Sequence, residues 1–381
     1  MEYKNVGLGH AKALFDSVND IVVYHPKLLE AKRYADQLVE LGPYRDEAPC
    51  SEISGPAGVG KSTLWKWLRA EQPRGAPVEV ALPRQPGATV IQVPYITVRL
   101  EQSPTVEKVC DLFLLELGDQ FIRRGSLGEK TARVDRLLHC CGVSAVFIDE
   151  FQYVVDRAGV VVAENIVDWL RDRHMPTGRR EAGFADARSV ALCLMGLGRL
   201  GAIFSNDQQR LRRWDAGWRL DPYEDRGDDL IDFAAIVVAF AEASALPIDG
   251  RLDLRKAELI QRFHYATWGI PGNLKKIFGS AMRVAALFPA KYPTLSLDLL
   301  ERGFAQQVRT EEHPVVTNVA GLGARASVAP MQNPFSLGFD ARQARPILTG
   351  DNAPIAPALV RRRTAQRRRT AQAVSVDFAA R

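Results

Sequence analysis

The chain has 381 residues, 46% hydrophobic and 25% charged, an ordinary globular composition with enough length for a sizeable core and two or three subdomains. Its formal net charge of +5 is local, because residues 361–381 hold seven arginines and one aspartate while the other 360 residues carry 43 basic and 44 acidic side chains. A mixed, charged N-terminus unlike a secretory leader, an apolar stretch (230–248) broken by Asp232 and Glu242, and five cysteines without Cys-x-x-Cys pairing or zinc-like histidine spacing exclude a membrane span, a disulfide framework and a cysteine metal site, and predict a cytoplasmic protein.

In chain order, residues 1–48 read as a helical segment, with apolar positions near 3.6 spacing from Leu28 to Leu41, Pro26 at the start and Gly42 and Pro43 at the end. From 49 to 222, apolar runs alternate with helical ones. The runs are the residues before Gly55, then "TVIQVPYITVRL" (89–100), "SAVFIDE" (144–150) and "SVALCLMGLG" (189–198), and they predict a mainly parallel sheet covered on both faces. From 223 to 308 strand signals stop, and 226–246, 251–265, 271–288 and 296–308 predict a small α-helical lid. Residues 309–381, rich in Pro, Gly, Ala and Ser and ending in "RRRTAQRRRTAQ", read as a disordered basic tail.

The chemistry begins at "GPAGVGKSTL" (55–64), which places Gly55, Gly58, Gly60, Lys61 and Ser62 in the Gly-x4-Gly-Lys-Ser/Thr pattern. Glycines allow successive backbone N–H groups to face phosphates, and the following helix adds the positive end of its dipole. Lys61 is expected to reach the β- and γ-phosphates of ATP, and Ser62, with Thr63 beside it, to offer a hydroxyl to Mg²⁺. "AVFIDEFQ" supplies the second element, with Asp149 and Glu150 where a buried parallel strand ends, the place open α/β sheets put their ligands. Asp149 is expected in the Mg²⁺ shell and Glu150 as the base for the attacking water. "NDQQRLRRWD" (206–215) offers Arg210, Arg212 and Arg213 as cations acting across a subunit boundary, or as solvated surface arginines.

These parts, with "VVYHPKLLEAKRYADQL" (22–38) ahead of the core, the "DEFQ" ending and "ATWGIPGNLKKIF" (266–278) in the lid, resemble an AAA+ ATPase of the TniB/TnsC group of transposition regulators, over about residues 20–305. The resemblance implies a P-loop AAA+ αβα sandwich. It implies that Val23, His25 and Pro26 neighbour the adenine, although His25-Pro26 is equally read as a turn into a helix. It implies that Arg213, before Trp214, is the finger, and that Thr267 and Lys275 lie where the γ-phosphate is sensed. Gly198 and Arg199 stand where a short polar residue is common, which points to a slow switch rather than a motor.

The implied function is assembly. In the ATP state such proteins form rings or helical filaments on double-stranded DNA, recruit or activate a transposase, sometimes with a target-selection protein, and disassemble on hydrolysis. DNA contact is expected to be mostly with phosphates. Arg99, Thr105 and Lys108 are candidates for the filament bore or for an exposed loop, the arginine tail for DNA or an acidic partner, and Asn333-Pro334-Phe335 for a partner-docking motif or a chance tripeptide. Two other readings stay open: a replication initiator or loader, and an ATP-gated scaffold or signalling protein that does not bind DNA.

Overall fold

The computed structural model describes residues 8–44, 49–82, 85–156, 160–174, 188–197, 217–307 and 333–339. Two N-terminal helices, α1 (Leu8–Asn19) and α2 (Pro26–Leu41), precede the first strand, β1 (Cys50–Ser54), and α3 (Lys61–Glu71). A hairpin, β2 (Pro77–Leu82) and β3 (Gln85–Ile91), leads to β4 (Tyr95–Arg99), α4 (Val106–Glu116) and α5 (Leu127–Cys140). Then come β5 (Ala145–Asp149), α6 (Gln152–Asp156), α7 (Val160–His174), β6 (Ala191–Gly196) and β7 (Trp218–Arg219). The lid contains α8 (Gly227–Ala243), α9 (Ala257–Thr267), α10 (Pro271–Leu287) and α11 (Leu297–Gln307).

Among the described residues the main sheet has the order β4-β5-β6-β1-β7, with every pair parallel. Strands β5 and β6 are buried at every position, as expected for strands sandwiched between helices, and this explains their unbroken apolar sequences. One face of the sheet packs Ile96, Val98, Val146 and Ile148 against α4, α5 and α7; the other packs Ile53, Phe147 and Met195 against α2 and α3. A capping box between Ser126 and Glu129 fixes the start of α5.

The apolar run 89–100, read as one strand from sequence, is divided: its first residues pair within the hairpin, and Gln92 to Pro94 carry the chain into β4. The hairpin and β7 lie outside the sequence expectation. The four lid helices match the expected segments to within a few residues at their ends, except that α9 lies later than its segment.

The N-terminal segment divides its packing. Leu14 and Val18 of α1 join the lid core with Phe233, Phe240 and Phe278, whereas Leu28, Ala31, Ala35 and Leu38 of α2 join the core beneath the sheet. The tail expectation needs one correction: residues 333–339 are ordered against the lid, with Phe335 fully buried, because two aromatic anchors find an apolar seat there. The rest of 309–381, including the arginine repeat, lies outside the described residues. No helix among the described residues is long and apolar enough to cross a membrane, and no cluster of metal-ligating side chains occurs among them. All five cysteines are buried and unbridged.

If α1 is an integral part of the lid, Leu14→Ala, which empties a site only 1% exposed, should cost about 3 kcal/mol of lid stability. Hydrogen exchange would show this as faster exchange in α10 with β5 and β6 unchanged; equal loss of protection in sheet and lid would contradict the division.

Candidate nucleotide site

β1 ends at Ser54, and the chain turns through Gly55–Gly60 into α3. Gly60, with φ of 117°, is the residue before the helix, and no side chain caps the first turn, so the leading N–H groups of α3 face the loop. A Cβ at Gly60 would stand 3.3 Å from Leu28 Cδ1 and 3.5 Å from His25 Nε2, which restricts the position sterically as well as conformationally. Lys61 is 8% exposed, and its ammonium donates to the Gly55 and Pro56 carbonyls, each at 2.6 Å. Ser62 is exposed and Thr63 half-buried at the start of the helix.

Across the sheet, β5 brings Asp149 and Glu150 to its carboxyl end. Asp149 is 2% exposed, and its Oδ2 is buried with no hydrogen bond, its cationic neighbour being Arg99 Nε at 3.6 Å. Burial pushes the Asp149 carboxyl up to about 6; the adjacent Glu150 charge adds to this, while a Glu150 backbone hydrogen bond, Arg99 and Lys61 oppose it. Glu150 occupies a left-handed backbone conformation (φ 60°), uncommon for a non-glycine residue. Its carboxylate accepts from Arg99 Nη2 at 3.1 Å and from the Gln152 amide.

A hard oxygen donor left without a hydrogen bond, beside a phosphate loop ending in an exposed hydroxyl, suits Mg²⁺. Asp149 and Ser62 are the residues that would hold it, and the metal would neutralise charge on the phosphates.

His25 caps α2. Its Nδ1 accepts the Leu28 N–H at 3.3 Å and the Tyr223 hydroxyl at 2.9 Å, so the proton of the neutral ring sits on Nε2. Burial, with a smaller contribution from the Lys27 charge, lowers its pKa to about 4 against a Val59 backbone hydrogen bond that acts the other way. The structure therefore brings His25 against the phosphate loop, while Pro26 begins α2 and Val23 packs on the lid.

Several other expected site residues lie elsewhere. Lys275 donates to the Asn19 and Ile21 carbonyls and so pins the end of α1 to the lid, which does not support a γ-phosphate role. Thr267 is fully buried and bonds back to the Phe263 carbonyl at 2.8 Å, a structural use. Arg99 turns to the acidic pair instead of a DNA-facing loop, Thr105 caps α4, and Lys108 donates to the Ser103 carbonyl. Arg210, Arg212, Arg213, Gly198 and Arg199 lie outside the described residues.

Two features of the site escaped the sequence reading. Arg99 meets Asp149 because β4 and β5 pair in that register, which only the sheet reveals. Gly272 N–H donates to the Gly58 carbonyl at 2.9 Å, so the start of α10 rests directly on the phosphate loop. A Cβ on Gly272 would meet that oxygen at 2.7 Å, and one on Gly58 would meet Ile270 Cγ2 at 3.0 Å.

Residues 45–198 match the family described as AAA domain. Among solved structures, the Aeropyrum pernix ORC2 protein, in a structure of ADPNP-ADP complexes, is similar over 78% of this chain and 72% of its own, with a TM-score of 0.53 and 12% identity. Cdc6p from Pyrobaculum aerophilum is similar over 77% of this chain and 71% of its own, with a TM-score of 0.53 and 14% identity. No curated protein matches the sequence. The shared property at these identities is the fold, a P-loop AAA+ sandwich with a parallel sheet and flanking helices.

Two outcomes follow from this geometry. Folding keeps His25 neutral, so the stability this contributes is present above the ordinary value of 6.5 and is lost as the pH falls toward 4, on the order of 3 kcal/mol in all. His25→Asn, which retains a capping oxygen but cannot protonate, should flatten the fall in melting temperature between pH 6.5 and 4.5; an unchanged slope would assign the acid sensitivity elsewhere. Gly272→Ala should lift the lid from the loop and weaken nucleotide binding at least about tenfold, a cost of roughly 1.4 kcal/mol, with far-UV circular dichroism unchanged. Wild-type affinity in that variant would show the contact to be incidental.

Proposed function

We propose that this chain is an ATP-dependent, DNA-binding transposition regulator, a nucleotide timer that assembles on target DNA, recruits or activates a transposase and disassembles when ATP is hydrolysed. The observation that carries the nucleotide-gated part is the backbone hydrogen bond from Gly272 to Gly58, through which the lid rests on the loop expected to hold the phosphates. Bound ATP would change what the loop presents to α10, and the lid position would follow. The ORC2 protein of similar fold, solved as ADPNP-ADP complexes, agrees with ATP as ligand.

In the proposed reaction, the first-turn N–H groups of α3 and the Lys61 ammonium bind and orient the phosphates. Glu150 takes a proton from the attacking water, and Arg99, bonded to the same carboxylate, holds it in place. Arg213, with Arg212 beside it, is proposed to approach the γ-phosphate of a neighbouring subunit and complete the site only on assembly. Rings or filaments, a separate transposase, a target-selection partner and phosphate-dominated DNA contact are supported by the family resemblance of residues 20–305 and by the arginine-rich tail. The second reading, a replication initiator or loader, is favoured by the likeness in fold to ORC2 and Cdc6p.

Negative-stain microscopy with duplex DNA and a slowly hydrolysed ATP analogue, ADP or no nucleotide tests the proposal. Regular rings or filaments are expected with the analogue alone and should be absent in Lys61→Ala. Glu150→Gln should retain nucleotide and assemblies but lose at least about 100-fold in turnover, the usual effect of removing a general base. Particles indifferent to nucleotide and DNA would rule out the timer and leave the scaffold reading; single DNA-bound complexes that never polymerise would favour the initiator.

A further inference from the structure

Residues 333–339, Asn-Pro-Phe-Ser-Leu-Gly-Phe, lie across the lid without regular secondary structure. Phe335 is fully buried, with its ring centroid 4.9 Å from that of Phe263 and 6.0 Å from that of Phe304. Phe339, 5% exposed, stacks obliquely on Tyr265 at 4.9 Å. Between the two anchors Leu337 is 95% exposed, so the segment lies along the surface and inserts only its ends.

Its backbone is read by one side chain. Arg262 of α9 donates to the carbonyls of Pro334 (3.2 Å), Ser336 (3.1 Å) and Phe339 (3.0 Å), and is itself held by Glu258 at 3.0 Å. Asn333 donates to the Glu301 carbonyl at 2.9 Å and accepts the Phe335 N–H at 3.0 Å, which folds the start of the segment into its bound turn. Main-chain bonds for affinity and spaced pockets for specificity are the arrangement by which proteins bind peptides.

The connection is far longer than the site requires. Asn333 touches Glu301, six residues before the end of α11, or about 9 Å along that helix. About three extended residues would close that gap, yet 25 residues (308–332) intervene, enough to span up to about 80 Å.

From this combination we propose that the lid carries a peptide-binding seat, built on Arg262, Phe263, Tyr265 and Phe304, whose ligand is the Asn-Pro-Phe-Ser-Leu-Gly-Phe sequence, held in cis and exchangeable for the same sequence on a second copy of the chain. The connecting length allows the segment to leave its own seat and enter a neighbour's, as in segment swapping between protomers. In cis the tether supplies an effective concentration in the millimolar range, so the seat is filled by default.

The test uses full-length protein without nucleotide or DNA, so its outcome is independent of the ATPase and transposition readings. Phe335→Ala/Phe339→Ala unseats the segment, and a fluorescently labelled peptide of residues 333–339 is titrated by anisotropy. Binding is expected to be saturable and at least tenfold tighter than to the wild type, whose own segment competes. Adding Arg262→Ala should abolish it. No binding to the folded, unseated chain, or equal binding to wild type, would overturn the proposal, as would an unseated chain that fails to fold. In the wild type, hydrogen exchange gives an independent readout: amides of 333–339 should exchange at least tenfold faster than those of α10, and exchange in step with α10 would make the segment a fixed part of the lid.

Discussion

Among the described residues, the loop at 55–60 is where the sheet core, the lid and the N-terminal segment meet, and the constraint that makes this possible is the close approach of two backbones at Gly58 and Gly272. A side chain at either position would occupy the space of the other element, so the two glycines decide how near the lid can come. The same short loop meets the N-terminal segment through His25 and Val59, and it receives the Lys61 ammonium on its own carbonyls. Six residues thus contact core, lid and N-terminus at once.

The electrostatics on the other side of the site have a similar economy. Asp149 and Glu150 are adjacent carboxylates at the end of a buried strand, an arrangement that burial and mutual repulsion both oppose. Arg99 relieves it by bonding to Glu150 and standing near Asp149, while its guanidinium lies 5.6 Å over the Trp65 ring. Arg99 is 45% exposed, so water screens its attraction and the relief is partial. Asp149 Oδ2 is buried without a hydrogen bond, with Arg99 Nε at 3.6 Å as its cationic neighbour.

Much of this was legible in the sequence where the signal was local. The glycine-lysine-serine pattern, the acidic pair after an apolar run and the helical period of the lid all depend on residues within one turn or strand of each other: the first opens α3, the second ends β5, and the lid helices other than α9 start and end near their expected bounds. What was not legible depends on pairing across the chain. Arg99 reads as part of a mixed-charge loop until β4 is set beside β5, Lys275 reads as a phosphate ligand until α1 is seen ending beside it, and β7 is too short to announce itself. Phe335 stood out only within the Asn333-Pro334-Phe335 tripeptide, and its seat on the lid was not legible because two aromatic anchors do not lift the mean hydropathy of a segment rich in Pro, Gly and Ala, although two anchors suffice to seat it.

The split packing of the N-terminus bears on how the lid can move. Helix α1 belongs to the lid core and is pinned there by Lys275, while α2 belongs to the sheet's core, so residues 20–25 cross from one body to the other. The chain crosses again at 220–226, between β7 and α8. These two crossings are joined by the Tyr223–His25 hydrogen bond, and Lys27 adds an ion pair to Asp229 at 2.6 Å and a bond to the Pro222 carbonyl at 3.0 Å. These bonds adjoin the Gly58–Gly272 contact: the Tyr223 N–H also donates to the Gly269 carbonyl at 2.9 Å, three residues before Gly272, and His25 stands against Val59 and Gly60. The lid is therefore tied to the core through one contiguous set of bonds beside the loop, so the seat of the lid and the conformation of the loop are mechanically linked.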